Sequence, residues 1–418
     1  MPVATVYGSA AGGGASDDSG TGPIRRLVVT ALFLMVLSGL WLGALVDLGG
    51  STARMVLAQM TGVPPSDARV LAGRLAAPDG FAVTLFAQDL GGPRLMAMTE
   101  AGDILVSVPH ANVIVRLTPD RDGDGLADQI TPLIGDLDRP HGLALEDGWL
   151  FIAEEGAVRR VRYDDAAGRI TGEPEVIVAD LPHGAGHWTR TIAVGPDGGL
   201  YLAIGSSCNV CIERHPWRAA MLRAEPDGSA PKVLATGLRN TVGFDWQPGT
   251  GSLHGVDNGR DWLGDDFPPD ELNVIVDGGF YGWPHYNGAN VADPDFGDAA
   301  ADRAGEQIAP VHAFAAHVAP LSIRFLSRQR DEAWNGAALV ALHGSWNRSR
   351  KVGYEVVALR WQSDGTITEQ PFLSGFRAGE DVFGRPVGIL EAPDGAIYVS
   401  DDFAGAIYRV APTSANGF

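Results

Sequence analysis

Residues 191–204 read TIAVGPDGGLYLAI, and residues 387–400 read VGILEAPDGAIYVS. Each is an alternating apolar run, a Pro-Asp-Gly turn and a second apolar run, the pattern of an antiparallel hairpin with one face buried. Looser versions occupy 95–107, 142–153, 242–256 and 323–342. The turn glycines are Gly102, Gly148, Gly198, Gly251, Gly336 and Gly395. They recur roughly every 50 residues, with a longer step across the fifth copy, and strand signals alone fill the period. This predicts an all-β fold, a six-bladed β-propeller of four-stranded antiparallel blades over residues 80–412. The segment FAVTLFA at 81–87 alternates like a strand but precedes the first full blade. It is expected to pair with the last blade, closing the ring and hiding an edge. Such a fold gathers loops from distant parts of the chain around one central mouth.

The formal net charge of the 418 residues is −20, which argues against a nucleic-acid partner and makes any cluster of arginines worth explaining. Residues 1–26 are rich in Gly, Ser and Ala and read as a disordered cytoplasmic tail. Residues 27–46 carry no charge, long enough for a transmembrane helix, and Arg25 and Arg26 precede them. The segment reads either as an anchor or as a cleaved signal, with small residues at Ser51 and Ala53. Residues 47–79 read as a linker. Both readings export the propeller: anchored in an inner membrane and facing the periplasm, or free in the periplasm.

Cys208 and Cys211 are the two cysteines, in SSCNVC. A redox pair and half of a zinc site with His215 share this spacing, whereas haem attachment requires a histidine where Ile212 stands. In an oxidising compartment a local disulfide that shapes the loop is the plain reading. Asp120, Asp122, Asp124 and Asp128, with Gly125, fall at positions 1, 3, 5, 9 and 6 of a Ca²⁺ loop. Thr131 takes the place of the bidentate glutamate at position 12, so affinity should be modest; the alternative is a solvated acidic loop.

His183 and His187 are four apart, but the intervening Gly184 and Gly186 oppose a helical metal pair. His187 instead leads into the most regular hairpin, where it can serve as a base or as a structural group. Arg239-Asn240, Arg348 and Arg385 stand at comparable strand entrances in later blades. Three such arginines in an acidic chain suggest a small polyanion at the mouth, because the guanidinium fork binds carboxylates bidentately.

Three stretches together, HWTRTIAVGPDGGLYLAIG, Arg239-Asn240 before VGFD, and DELNVIVDGGFYGWP, resemble the glucose/sorbosone dehydrogenase family. That family comprises propellers that use pyrroloquinoline quinone (PQQ). SSCNVC and GSWNR make the sorbosone branch the nearer likeness. The resemblance implies PQQ-dependent oxidation of an aldose or aldehyde sugar, PQQ and Ca²⁺ as cofactors, and a quinone or cytochrome as electron acceptor. It implies that His187 is the catalytic base and that Arg239 contacts the quinone oxygens with Asn240 beside it. The carbonyls of Gly259 and Arg260 would hold the cofactor's Ca²⁺, with Glu271 in the acidic pair that follows. Arg385, and more weakly Arg348, would bind cofactor carboxylates. Ser206 stands where the glucose branch has an aspartate that orients the histidine. His141 stands where that branch has a glutamine and is counted with the cofactor-binding set. Substrate preference therefore cannot be carried across. Two other classes remain open: a Ca²⁺-dependent propeller hydrolase of the sugar-lactonase kind, using His187 without a quinone, and a non-catalytic binding propeller. The arginine set favours the first reading.

Overall fold

The computed structural model describes residues 67–413 except 298 and 300–305. The 1–26 tail, the 27–46 segment and most of the linker lie outside these residues. Among the described residues no helix is long and apolar enough to cross a membrane.

Six four-stranded antiparallel blades form in chain order. Their inner strands are Met96–Met98, Gly142–Glu146, Arg190–Val194, Thr241–Trp246, Pro320–Phe325 and Pro386–Glu391. The sixth blade consists of Pro386–Glu391, Ile397–Asp401, Ala406–Pro412 and, on its outer edge, Phe81–Ala87. The register runs from Phe81 opposite Pro412 to Ala87 opposite Ile407. The first strand of the described residues thus closes the ring on the last, as its sequence predicted.

The two regular hairpins fold alike because their turns share one chemistry. In both, the glycine of Pro-Asp-Gly adopts positive φ (76° at Gly198, 85° at Gly395), a region open to glycine at little cost. In both, the aspartate side chain accepts the amide two residues on, at Gly199 and Ala396. One apolar cluster fills each of the six seams between neighbouring blades. Leu105 and Ile114 of the first blade, for example, pack with Leu150 and Val161 of the second. Fully burying one such side chain is worth about 1.5–3 kcal/mol, so the seams carry the fold. At the channel the inner strands crowd one another. A Cβ on Gly142 would lie 2.5 Å from the Ile192 amide nitrogen of the next blade.

Two features differ from the sequence reading. The linker does not run free to residue 79: Ala68–Ala72 is a short helix capped by Asp67, and Ala68, Leu71 and Leu75 join the core of the fifth and sixth blades. Leu71 lies on the buried side of the helix, and Leu75, just past its end, follows it into the core. The fourth blade is also interrupted. Between Pro269–Ile275 and its outer strand His312–Ala316, the chain leaves to lay Gly279–Phe280 parallel to Lys232–Thr236 of the third blade. The FYGWP motif lies in this excursion, and the Tyr281 hydroxyl ties it back by donating to the Val274 carbonyl at 2.5 Å.

Candidate active site

Each inner strand starts, and each second strand ends, on the same face of the ring. That face collects Arg94, His141, His187, Arg239, Asn240, His343, Arg385 and Asp402. Contacts link them round the mouth. Arg385 donates to the carbonyls of His343 and Gly344, at 3.1 and 3.0 Å. His343 meets Asp402 at 2.9 Å, and Arg94 donates to the same carboxylate at 2.6 Å. The Arg94 and Arg139 guanidinium groups lie 5.7 and 4.2 Å from the Trp188 ring, which packs edge-on against His141.

His187 is held from its Nδ1 side. Nδ1 lies 3.1 Å from the Ser206 carbonyl and 3.0 Å from the Ser206 hydroxyl. A carbonyl can only accept, and the Ser206 hydroxyl donates to the Cys208 carbonyl at 2.6 Å. Nδ1 therefore carries the hydrogen, and Nε2 keeps its lone pair. Nε2 has no hydrogen-bond partner among the described residues. Burial, then the charge of Arg239, pushes the His187 pKa down to about 3, so the ring is neutral near pH 7. Gly205 makes this packing possible: a Cβ there would sit 2.4 Å from Asn240 Oδ1 and 2.7 Å from the His187 Cβ.

Arg239 is almost wholly engaged. Nε and one terminal nitrogen donate to the Asn209 carbonyl and Oδ1, both at 2.9 Å. The same terminal nitrogen reaches Asp261 at 3.2 Å, and the other donates to the Asn258 carbonyl at 3.1 Å. The Asn240 amide is fixed by Asp257 at 2.7 Å, while its Oδ1 is buried without a partner. His141 is likewise held by Nδ1 on the Arg190 carbonyl at 3.2 Å, and its buried Nε2 has no partner. Burial, then Arg94, lowers its pKa well below the ordinary value.

Gly259 donates its amide to Asp270 at 2.8 Å. The Arg260 side chain turns into a buried pair with Asp293, at 2.7 Å, and reaches Asp295 at 3.1 Å. Both residues thus have their amide or side chain occupied inward. They line a small cleft with Arg239, Asp257, Asn258, Glu271, Tyr281 and Trp283. Three acids crowd here. Burial pushes Asp257 up to about 6, Asp270 to about 7 and Glu271 to about 8. Hard oxygen ligands without enough positive charge are what a divalent cation would relieve. The buried Asn240 Oδ1 and His141 Nε2 are acceptors left without a donor, and guanidinium groups lie nearby, so the mouth fits a polar ligand that offers N–H or O–H groups as well as negative charge.

Other sequence-predicted residues lie further out. Arg348 donates to the Ala316 carbonyl at 3.2 Å and to Asp266 at 2.8 Å, and it also bonds the Asp265 carbonyl. Its guanidinium is therefore directed at the 265–266 loop. Cys208 and Cys211 are joined in a disulfide, so neither sulfur is open to zinc. Ligand oxygens of Asp120, Asp122 and Asp124 lie within 4.8 Å of one another. Asp120 accepts the amides of Gly123 and Gly125, and the Asp128 carboxylate accepts the Arg121 amide. This loop is far from the mouth and is pinned to the closing strand by the Ala127 amide on the Phe86 carbonyl, at 2.8 Å. Sequence reasoning missed Asn209, Arg94, Trp188 and the His343–Asp402 pair. Only Arg94 carried a signal, since it precedes the first inner strand as Arg385 precedes the sixth.

The chain has relatives among known proteins. It is 31% identical over 359 residues to an uncharacterized protein of Borreliella burgdorferi, spanning 82% of this chain and 92% of that one. It is 25% identical over 408 residues to a pyrroloquinoline quinone-dependent sugar dehydrogenase of Hypocrea jecorina, spanning 82% and 90%. A solved structure of the Trichoderma reesei carbohydrate-active enzyme family AA12 superposes with a TM-score of 0.72 at 23% identity, covering 84% of this chain and 98% of that one; at this identity the likeness speaks for the fold. The TrAA12-like family profile matches residues 75–276 and 288–413, the whole ring of blades apart from part of the excursion in the fourth, and the chain belongs to that family.

Proposed function

We propose that this propeller is a PQQ-dependent sugar dehydrogenase whose active site is the mouth around His187 and Arg239. The observation that carries the reading is the state of His187: neutral, fixed by Nδ1, with Nε2 free beside a set of guanidinium groups. The PQQ-dependent relative from Hypocrea jecorina, matched over most of both chains, supports the same class. A lactonase has less use for so many carboxylate partners, and a binding propeller has no use for a preset base.

In this reading Arg239, Asn240, His141 and Arg385 hold the cofactor, with Arg348 at the rim. The Gly259 and Arg260 carbonyls, with Glu271 behind them, hold Ca²⁺. Bound there, PQQ would supply a hydride acceptor and Ca²⁺ a Lewis acid, the chemistry that turns a sugar carbinol into a carbonyl with loss of a hydride and a proton. His187 Nε2 takes that proton. A pKa near 3 makes a weak base, but part of the depression comes from Arg239. An anion bound at Arg239 offsets that charge and raises His187 towards the range where general bases act best. A positioned base contributes typically about 10²–10⁴-fold in rate.

The substrate we assign is an aldose or aldehyde sugar of the sorbosone kind, with a quinone or cytochrome as electron acceptor. The location we assign is the periplasmic face of an inner membrane, anchored by residues 27–46, or the periplasm if that segment is cleaved. The Asp120–Asp128 loop takes a second Ca²⁺ with a structural role. Asp122→Ala should then lower Ca²⁺-dependent thermal stability and leave PQQ binding unchanged.

The test of the function is reconstitution. The apo-protein is loaded with PQQ and Ca²⁺, freed of oxygen and mixed with aldoses and aldehyde sugars. Bleaching of the quinone absorbance by at least one sugar is expected. A protein that binds no PQQ, or that hydrolyses a lactone without it, refutes the reading.

A further inference from the structure

The four-residue loop closed by Cys208 and Cys211 carries a side chain with an unusual number of ties. Asn209 uses its carbonyl and both polar atoms of its side chain on the candidate site. Its carbonyl accepts Nε of Arg239 at 2.9 Å and the Trp283 indole N–H at 3.4 Å. Its Oδ1 accepts the Arg239 terminal nitrogen at 2.9 Å and the Asp261 amide at 2.8 Å. Its Nδ2 donates to the Asp261 carbonyl at 3.1 Å. Carbonyl and side-chain oxygen thus grip one edge of the guanidinium together, the fork-on-fork arrangement that fixes its plane. The side chain also brackets Asp261 from both sides of its backbone. Asp261 directly follows Gly259 and Arg260, the residues whose carbonyls face the cleft in the reading above.

We propose that Asn209 is the positioning residue of this site, a single amide that sets both the plane of Arg239 and the seat of the 257–261 loop. The proposal rests on the reading that Arg239 and this loop hold the cofactor. Asn is the residue the geometry demands. The site requires an acceptor for two N–H groups and a donor for a carbonyl, which a carboxylate cannot supply. A longer amide would push the loop away. The disulfide holds the tip in place: the backbone at Asn209 lies between bonded cysteines and has few conformations to lose. The same loop reaches the base, because the Cys208 carbonyl takes the Ser206 hydroxyl that faces His187. One short crosslinked segment therefore joins the third blade, which carries His187, to the fourth, which carries Arg239.

The test uses the full chain and two variants, Asn209→Ala and Asn209→Asp, with two readouts. The first requires no cofactor: hydrogen exchange of the Arg239 guanidinium N–H groups, Nε and terminal, followed by nitrogen-edited NMR of the apo-protein. The clamp predicts slowly exchanging guanidinium protons in the parent and, in Asn209→Ala, loss of that protection at the terminal nitrogen whose partner is Oδ1, while the Nε–H keeps the backbone carbonyl of residue 209. The second is the dissociation constant for PQQ in Ca²⁺, read by quenching of tryptophan fluorescence. Asn209→Ala should bind about tenfold more weakly, the loss of a hydrogen bond to a charged group. Asn209→Asp keeps the shape but sets an oxygen against the Asp261 carbonyl, so it too should bind more weakly, although a role in packing alone predicts parental binding. Fast exchange at Arg239 in the parent overturns the proposal, even if Asn209→Ala does not fold. So does parental PQQ affinity in a folded Asn209→Asp protein. A parent that binds no PQQ would defeat the functional reading, and the exchange measurement would still judge the clamp.

Discussion

The two sides of the mouth each carry a histidine and an arginine, and they are wired differently. On one side the His187 ring bonds only neutral oxygens of Ser206, and Arg239 is gripped mainly by carbonyls and the Asn209 amide. On the other, His343 sits on the Asp402 carboxylate, which Arg94 also holds. Burial and then Arg385 bring His343 down to about 4, close to His187. Burial opposes the charge on Asp402, but His343 and Arg94 outweigh it and hold its carboxyl well below the usual range. Similar protonation thus hides opposite availability. His343 has its Nε2 occupied by a partner of the fold, while His187 presents a free one. In the proposed reading, position at a strand end does not qualify a histidine as the base; an unoccupied nitrogen does.

This contrast can be broken by mutation. The largest effect among the anchoring groups is expected at Arg239. Arg239→Ala removes the buried cation that the proposed function gives to the cofactor and should raise the PQQ dissociation constant roughly 10–100-fold, measured by titration of the apo-protein. An unchanged constant would place the ligand elsewhere. His343→Ala should do the reverse. It leaves Asp402 with Arg94 alone and should cost about 1–3 kcal/mol of stability in denaturant unfolding, with quinone reduction close to the parental rate. If the reduction rate collapses in a folded His343→Ala protein, the two sides have been assigned the wrong way round.

A smaller effect sharpens the charge argument. Asp257, Asp270 and Glu271 titrate at about 6, 7 and 8 in the fold, above the usual carboxylate values near 4 of an unfolded chain. The folded state therefore binds more protons than the unfolded one between these limits. The sign follows: this contribution is present in full below about pH 4 and is lost as pH rises through 6–8. Buried histidines contribute the opposite slope, but only below about pH 6.5. The apo-protein should thus lose stability between pH 6.5 and 8.5, on the order of 1 kcal/mol or more. Ca²⁺ should flatten that slope, because a cation among the acids favours their charged forms. A slope unaffected by Ca²⁺ would remove the cation from this cleft.

Much of the fold was legible because it repeats. A period-2 pattern with Asp-Gly turns fixes strand and turn together, and an orphan strand at 81–87 has one edge to fill. The linker end was misread because Leu71 and Leu75 are too few to declare a helix before their partners, Phe372 and Phe376, are known. His187, Arg239 and Arg385 could be singled out by their place ahead of inner strands. Asn209 could not: its partners lie at 239, 261 and 283, and only the packing of the third blade against the fourth and its excursion brings them together. The Arg94–Asp402–His343 link spans the first, sixth and fifth blades and has no local signature either.

The account turns on one proton. The most direct measurement is single-turnover reduction of bound PQQ by sugar, without oxygen, in the parent and in His187→Ala, each saturated with cofactor and Ca²⁺. His187→Ala should fold, bind PQQ and reduce it at least about a hundredfold more slowly. A folded, loaded His187→Ala protein that reduces its quinone at the parental rate would contradict the account.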